Sequence, residues 1–138
     1  MVYLTRIERF NAAHKLWVAE WTEAENFERF GKCSNHNWHG HNYTLHVTVK
    51  GNPDPVTGFI VNAKELRQVI KSEVTEHLDH RNLNLDVPFF QKGIQPTSEN
   101  IIRVIWEQLA APVRQLGGTL HKLTLWETDN IYVEYFGE

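Results

Sequence analysis

From Asn42 to Gly51 the chain reads NYTLHVTVKG, in which Tyr43, Leu45, Val47 and Val49 alternate with Asn42, Thr44, His46 and Thr48. That period of two commits the stretch to a half-buried strand, because successive side chains of an extended backbone leave on opposite faces. The pattern reaches back through His39, Gly40 and His41, so both imidazoles share the parity of Tyr43 and Leu45 and point to one face. With a rise of about 3.3 Å per residue their Cα atoms stand roughly 6.5 Å apart, close enough for two ring nitrogens to meet one ion at about 2.0 Å each. Gly40 lets another group approach the backbone closely. Two polar histidines at a strand entrance show the same spacing without an ion, so the pair requires further ligands before it means a metal site.

Other elements follow from periodicity. VYLTRIERF near the N-terminus is β-prone but alternates imperfectly, which predicts a strand with a bulge. HKLTLWET and IYVEYF flank Asp129 and Asn130 and read as a hairpin. Between the two strand pairs, Asn62 with Glu65 opens a helix whose apolar face is Leu66, Val69, Ile70, Val74 and Leu78. A second helix starts near Thr97 and Ser98, carries Ile101, Ile102, Ile105 and Leu109, and is expected to stop at Pro112. Thr22 to Phe30, with Glu25 completing a capping box and Gly31 behind it, reads as one or two extra helical turns. GNPDPVTG is a turn.

Strands, helix, helix, strands is the order of an α+β layer, a small antiparallel four-stranded sheet with two helices on one face. At 138 residues and 41% hydrophobic, the chain is expected to form one domain over 1–138, without linker or repeat. The open sheet leaves two edges that invite assembly.

Composition closes several functional classes. Fourteen Lys and Arg against 17 Asp and Glu give a net charge of −3 with no basic stripe, so nucleic acid is not an expected partner. No apolar run reaches the roughly 20 residues of a membrane span, and Arg6, Glu8 and Arg9 interrupt any signal sequence, which gives a cytoplasmic expectation with no membrane partner. One cysteine, Cys33, permits neither an intrachain disulfide nor a zinc site built from several thiolates.

Eight histidines remain to be explained, three of them (His36, His39 and His41) within six residues. A catalytic zinc takes three protein ligands and keeps an open position. His14, at the end of the first strand, supplies a third ligand if that strand pairs with the one from His39 to Val49. Cys33 is a base or nucleophile if a nearby cation lowers its pKa, or else the fourth ligand of a closed site; His36 is an undecided extra. Asp79 beside His80 in LDHRNLN is either a proton relay or a helix-end cap. Glu127 has the parity of Leu123 and Leu125, and a carboxylate aimed at a core or pocket calls for a cationic or multi-donor ligand.

FNAAH, FGKCSNHNWHGHNY, NPDPVTGFIVN, LDHRNLNLDVPFF, PTSEN, WETDN and the terminal YFGE together resemble the 6-pyruvoyl-tetrahydropterin synthase family over essentially the whole chain. The resemblance implies the tunnelling fold, in which sheets close into a barrel across a trimer and two trimers stack as a homohexamer with active sites between subunits. It implies zinc on His14, His39 and His41, Cys33 as general base, and Asp79 with His80 as proton relay. It also implies Glu127 as the anchor of the pterin's amino and ring N–H groups, with Thr97, Ser98 and Glu99 lining the same pocket. The implied reaction converts 7,8-dihydroneopterin triphosphate to 6-pyruvoyl-tetrahydropterin with loss of triphosphate, in tetrahydrobiopterin biosynthesis and without an external redox cofactor.

Asn11, Ser98, His36 and Trp38 depart from the residues common in the family, and Trp38 beside the zinc ligands bears on which side chain fits. The related 6-carboxytetrahydropterin synthase of the queuosine pathway is the alternative; five residues between Cys33 and His39, where that enzyme typically has a shorter spacing, favour the pyruvoyl reaction. Cleavage to a 6-hydroxymethyl pterin is associated with a carboxylate in place of the cysteine, and Cys33 argues against it. A noncatalytic zinc- or pterin-binding module would have no use for Cys33, Asp79 and His80.

Overall fold

β1 (Val2–His14) and β2 (His39–Gly51) pair antiparallel along their full length, with Val2 opposite Gly51 and His14 opposite His39, in the computed structural model, which describes residues 1–138. β2 also pairs with β4 (Thr119–Thr128), and β4 with β5 (Ile131–Tyr135), through a two-residue turn at Asp129 and Asn130. These are the four antiparallel strands expected. A fifth, β3 (Arg81–Asn82), runs parallel to β1 at Ala12 and Ala13, so the sheet is mixed and ordered β3-β1-β2-β4-β5. Two residues cannot carry a period, which is why β3 left no mark in the sequence.

The bulge expected in β1 is not there. Its alternation is imperfect because Arg6 and Glu8 lie on the helix-facing side, where they satisfy one another at 2.8 Å and Arg67 approaches Glu8 at 3.6 Å. The irregularities fall in β4 instead. His121 is skipped in the register with β2, and Glu127 in the register with β5.

The first long helix is α2 (Ala63–Ile70), a π-helical turn (Lys71–Thr75) and α3 (Glu76–Leu78) in succession. Asn62 caps it through the Lys64 N–H. Leu66, Ile70, Val74 and Leu78 recur every four residues, a spacing that drifts about 40° per step around a 3.6-residue helix. The wider π turn takes up that drift and keeps all four buried. α5 (Ser98–Gln115) runs through Pro112 to Gln115, contrary to the expected stop. Val113, fully buried beside Leu109, holds the last turn on the core and outweighs the hydrogen bond that proline cannot donate.

Both helices cover one face of the sheet, with Ile101, Ile105 and Leu109 joining Phe10, Tyr43, Leu45, Leu123 and Leu125 in a single core. α1 (Glu23–Phe30) starts with the Thr22–Glu25 capping box and ends at Gly31, whose φ of 56° suits a residue without Cβ. A 3₁₀ turn (Gly31–Ser34) carries Cys33, and α4 (Leu83–Asp86) and a second 3₁₀ turn (Pro88–Phe90) follow β3. No helix is long and apolar enough to cross a membrane.

Candidate metal centre

The β1–β2 register decides the site, because it sets the last residue of β1 against the first of β2 on the core face of the sheet. The rings of His14 and His39 lie 4.5 Å apart between centroids, and His41 stands 5.1 Å from each. One ligand nitrogen from each of the three falls within 4.8 Å of the other two. His14 Nδ1–H donates to the Pro96 carbonyl at 2.8 Å, which fixes the tautomer and turns the Nε2 lone pair inward. His14 Nε2, both nitrogens of His39 and His41 Nε2 are buried without a hydrogen-bond partner.

Buried polar atoms are normally paired, and three imidazole nitrogens, one from each ring, that converge within 4.8 Å need an explanation. Burial holds His14 and His39 below the ordinary imidazole pKa, and for His14 the Pro96 carbonyl pulls the other way. Neutral imidazoles are the form that ligates a metal. The three histidines therefore could hold a metal ion. Cys33 lies outside that group and His36 is exposed, so the structure does not assemble the closed four-ligand alternative.

Glu127 arrives through the bulge that β4 makes against β5, between Trp126 and Thr128. Its Oε1 is 3.2 Å from His41 Nε2, and its Oε2 accepts a hydrogen bond from the buried Ser98 hydroxyl. Ser98 opens α5, whose N-terminal dipole favours a carboxylate there. Thr97 is the helix N-cap and accepts from the Asn100 N–H, whereas Glu99 is exposed in the first turn. Burial and then the Glu127 charge push the Cys33 thiol up from its ordinary pKa, and the same two causes raise the Tyr43 phenol, whose hydroxyl is also buried without a partner.

Asp79 and His80 are placed elsewhere. The Asn11 N–H donates to Asp79 Oδ1 at 2.9 Å and holds its carboxyl below the usual carboxylate pKa, while Asp79 Oδ2 meets His80 Nδ1 at 3.0 Å. His80 has a left-handed backbone, φ 58°, tied by its N–H to the Asn11 carbonyl. The pair borders a cleft with Arg9, Asn42, Thr44 and Asp129. Arg9, Asn42 and Thr44 alternate with the three histidines along β1 and β2, so this cleft crosses the sheet face that the helices leave open. Asp79 and His80 thus meet one another, and the single chain keeps the pair apart from the histidine centre.

Sequence reasoning passed over Pro96, Tyr43, and the amides that brace the loop after β1. The Asn84 carboxamide bonds the N–H and C=O of Lys15, and the Gln95 carboxamide does the same for Trp17. A backbone carbonyl or an amide brace has no residue signature; only the unusual density of Asn and Gln in loops could have drawn attention to them.

Residues 3–138 match the family model described as 6-pyruvoyl tetrahydropterin synthase. A 6-pyruvoyl tetrahydrobiopterin synthase of Homo sapiens is 42% identical over 131 residues, 94% of this chain and 87% of that protein. A 6-carboxy-5,6,7,8-tetrahydropterin synthase of Bacillus subtilis is 30% identical over 112 residues, 78% of this chain and 73% of its own length. The solved structure of Caenorhabditis elegans 6-pyruvoyl tetrahydropterin synthase superposes with a TM-score of 0.89 at 37% identity, covering 99% of this chain and 96% of that one.

Proposed function

Since the chain belongs to the 6-pyruvoyl tetrahydropterin synthase family, we propose that it converts 7,8-dihydroneopterin triphosphate to 6-pyruvoyl-tetrahydropterin and triphosphate, in tetrahydrobiopterin biosynthesis. The observation that carries this reading is the convergence of His14, His39 and His41 beside the Glu127–Ser98 pair, a candidate ion site and a carboxylate acceptor side by side. Glu127 anchors the pterin by accepting from its amino and ring N–H groups, and Ser98, Thr97 and Glu99 line the same pocket. A donor edge on a carboxylate is a charge-assisted pair, worth about 1.5–3 kcal/mol for each such hydrogen bond.

The three histidines would hold zinc, to which neutral imidazole is a suitable ligand. When bound it supplies Lewis acidity toward the hydroxyls of the substrate side chain. The residues do the rest. Cys33, whose thiol burial and then the Glu127 charge push up from its ordinary pKa, takes a side-chain proton as general base in its thiolate form. His80, oriented by Asp79, delivers and receives protons as the side chain is oxidised and the dihydropterin ring is reduced. Oxidation and reduction balance within one molecule, so no redox cofactor takes part.

Because Asp79 and His80 open onto the uncovered sheet face, they serve the site of a neighbouring subunit in a homohexamer built as a dimer of trimers, acting in the cytoplasm. The whole of 1–138 works as a single domain. Cys33→Ala tests the assignment of roles. The variant retains about one zinc per chain and binds pterin but releases no triphosphate; loss of the zinc from Cys33→Ala, or triphosphate release at the wild-type rate, contradicts the mechanism.

A further inference from the structure

Lys15 follows the metal-site residue His14, and its ammonium stands 5.0 Å from the ring centroids of both Trp17 and Trp38. Its position is held from several directions. Asn84 bonds the backbone of Lys15, Gln95 that of Trp17, and the Leu16 N–H donates to the Cys33 carbonyl at 2.9 Å. Trp38, immediately before His39, takes a left-handed backbone of φ 70°, a conformation that disfavours any residue with a Cβ and that places its indole against Lys15. Strain retained beside a functional centre calls for a use.

The adjoining cavity is lined in part by Lys15, Trp17, Ser34, Asn35, His36 and Glu23, and Ser34 directly follows Cys33. Two indole faces stabilise a cation through their quadrupoles without neutralising it, so the ammonium keeps its charge for an anionic ligand. Ordering a long lysine in advance also removes an entropic cost from binding.

We propose that the ammonium of Lys15, clamped between Trp17 and Trp38, is the seat of the substrate's polyanionic triphosphate arm. The inference rests on the substrate reading above. With the pterin ring placed at Glu127 and the side-chain hydroxyls at the histidines, the Lys15 cavity is a neighbouring one, since Lys15 directly follows His14 and Ser34 directly follows Cys33.

The test is calorimetric titration of the metal-loaded protein with inorganic tripolyphosphate and, separately, with unphosphorylated 7,8-dihydroneopterin. Metal content is checked before and after, and the ion's own share is common to all variants. Lys15→Met weakens tripolyphosphate about tenfold or more, Lys15→Arg stays within about threefold of wild type, and Trp38→Gly falls between. Lys15→Met and Lys15→Arg leave dihydroneopterin affinity unchanged. Equal tripolyphosphate affinity in Lys15→Met and wild type overturns the seat, as does an equal loss of both ligands, and an unchanged Trp38→Gly removes Trp38 from it. Wild-type protein that binds tripolyphosphate but not dihydroneopterin contradicts the substrate reading instead, and the reverse pattern overturns the seat alone.

Discussion

His14 shows how one side chain is prepared for chemistry by a partner far along the chain. The Pro96 carbonyl takes its Nδ1 proton at 2.8 Å, and burial keeps the ring neutral, so its free nitrogen faces those of His39 and His41. The spacing of His39 and His41 and the parity of Glu127 were readable from alternation alone, because a strand converts sequence period into side-chain direction. Pro96 was not, since any residue offers a carbonyl. Replacing His41 with alanine is expected to empty the centre, checked as metal per chain; a fully loaded His41→Ala protein takes that residue out of the ligand set. Glu127→Ala is expected to weaken pterin binding by at least about tenfold, the value of one charge-assisted bond, with metal content unchanged, as titration with a pterin would show. Asp79 gives a pH signature. Its carboxyl titrates lower in the folded chain than its ordinary value of 3.8, so its stabilising contribution is complete above that value and is lost as pH falls through the depressed one. Asp79→Asn therefore flattens the acid limb of stability against pH, measured by denaturant midpoints below about pH 4.

Elements were legible where packing agrees with period and illegible where it overrides it. The strands of NYTLHVTVKG and the Asp129–Asn130 hairpin stand as read, and the Thr22–Glu25 capping box closes as its spacing requires. Arg6 and Glu8 imitated a bulge in β1 because ion pairing, rather than apolar contact, satisfies that side. Pro112 fails to end α5 because Val113 is fully buried one residue later. The loop between β1 and α1 depends on Asn26, fully buried, whose carboxamide accepts from the Val18 N–H and donates to the Val18 and Thr22 carbonyls. Asn26→Ala is expected to cost about 2–3 kcal/mol by leaving those groups unpaired in the interior, read from chemical denaturation; a cost near zero means that the loop is held otherwise.

The whole chain presents a sheet clad on one face and bare on the other, with the three histidines on the clad side and the Asp79–His80 pair beside the bare one. β3 covers only Ala12 and Ala13, which leaves most of the outer edge of β1 free to pair, while β5 ends the sheet on the other side. The edge-to-edge closure proposed above would account for both features by bringing one chain's Asp79–His80 pair to another's histidines. Cys33→Ala and His80→Ala proteins, each inactive alone, are then expected to recover activity when their subunits are mixed and reassembled; mixtures that stay inactive place both residues in one chain's site. Anaerobic incubation of the zinc-loaded protein with 7,8-dihydroneopterin triphosphate, with the pterin product identified by mass spectrometry, decides the reaction. The product expected is 6-pyruvoyl-tetrahydropterin; a 6-carboxy pterin, or an unchanged substrate with zinc bound, contradicts it.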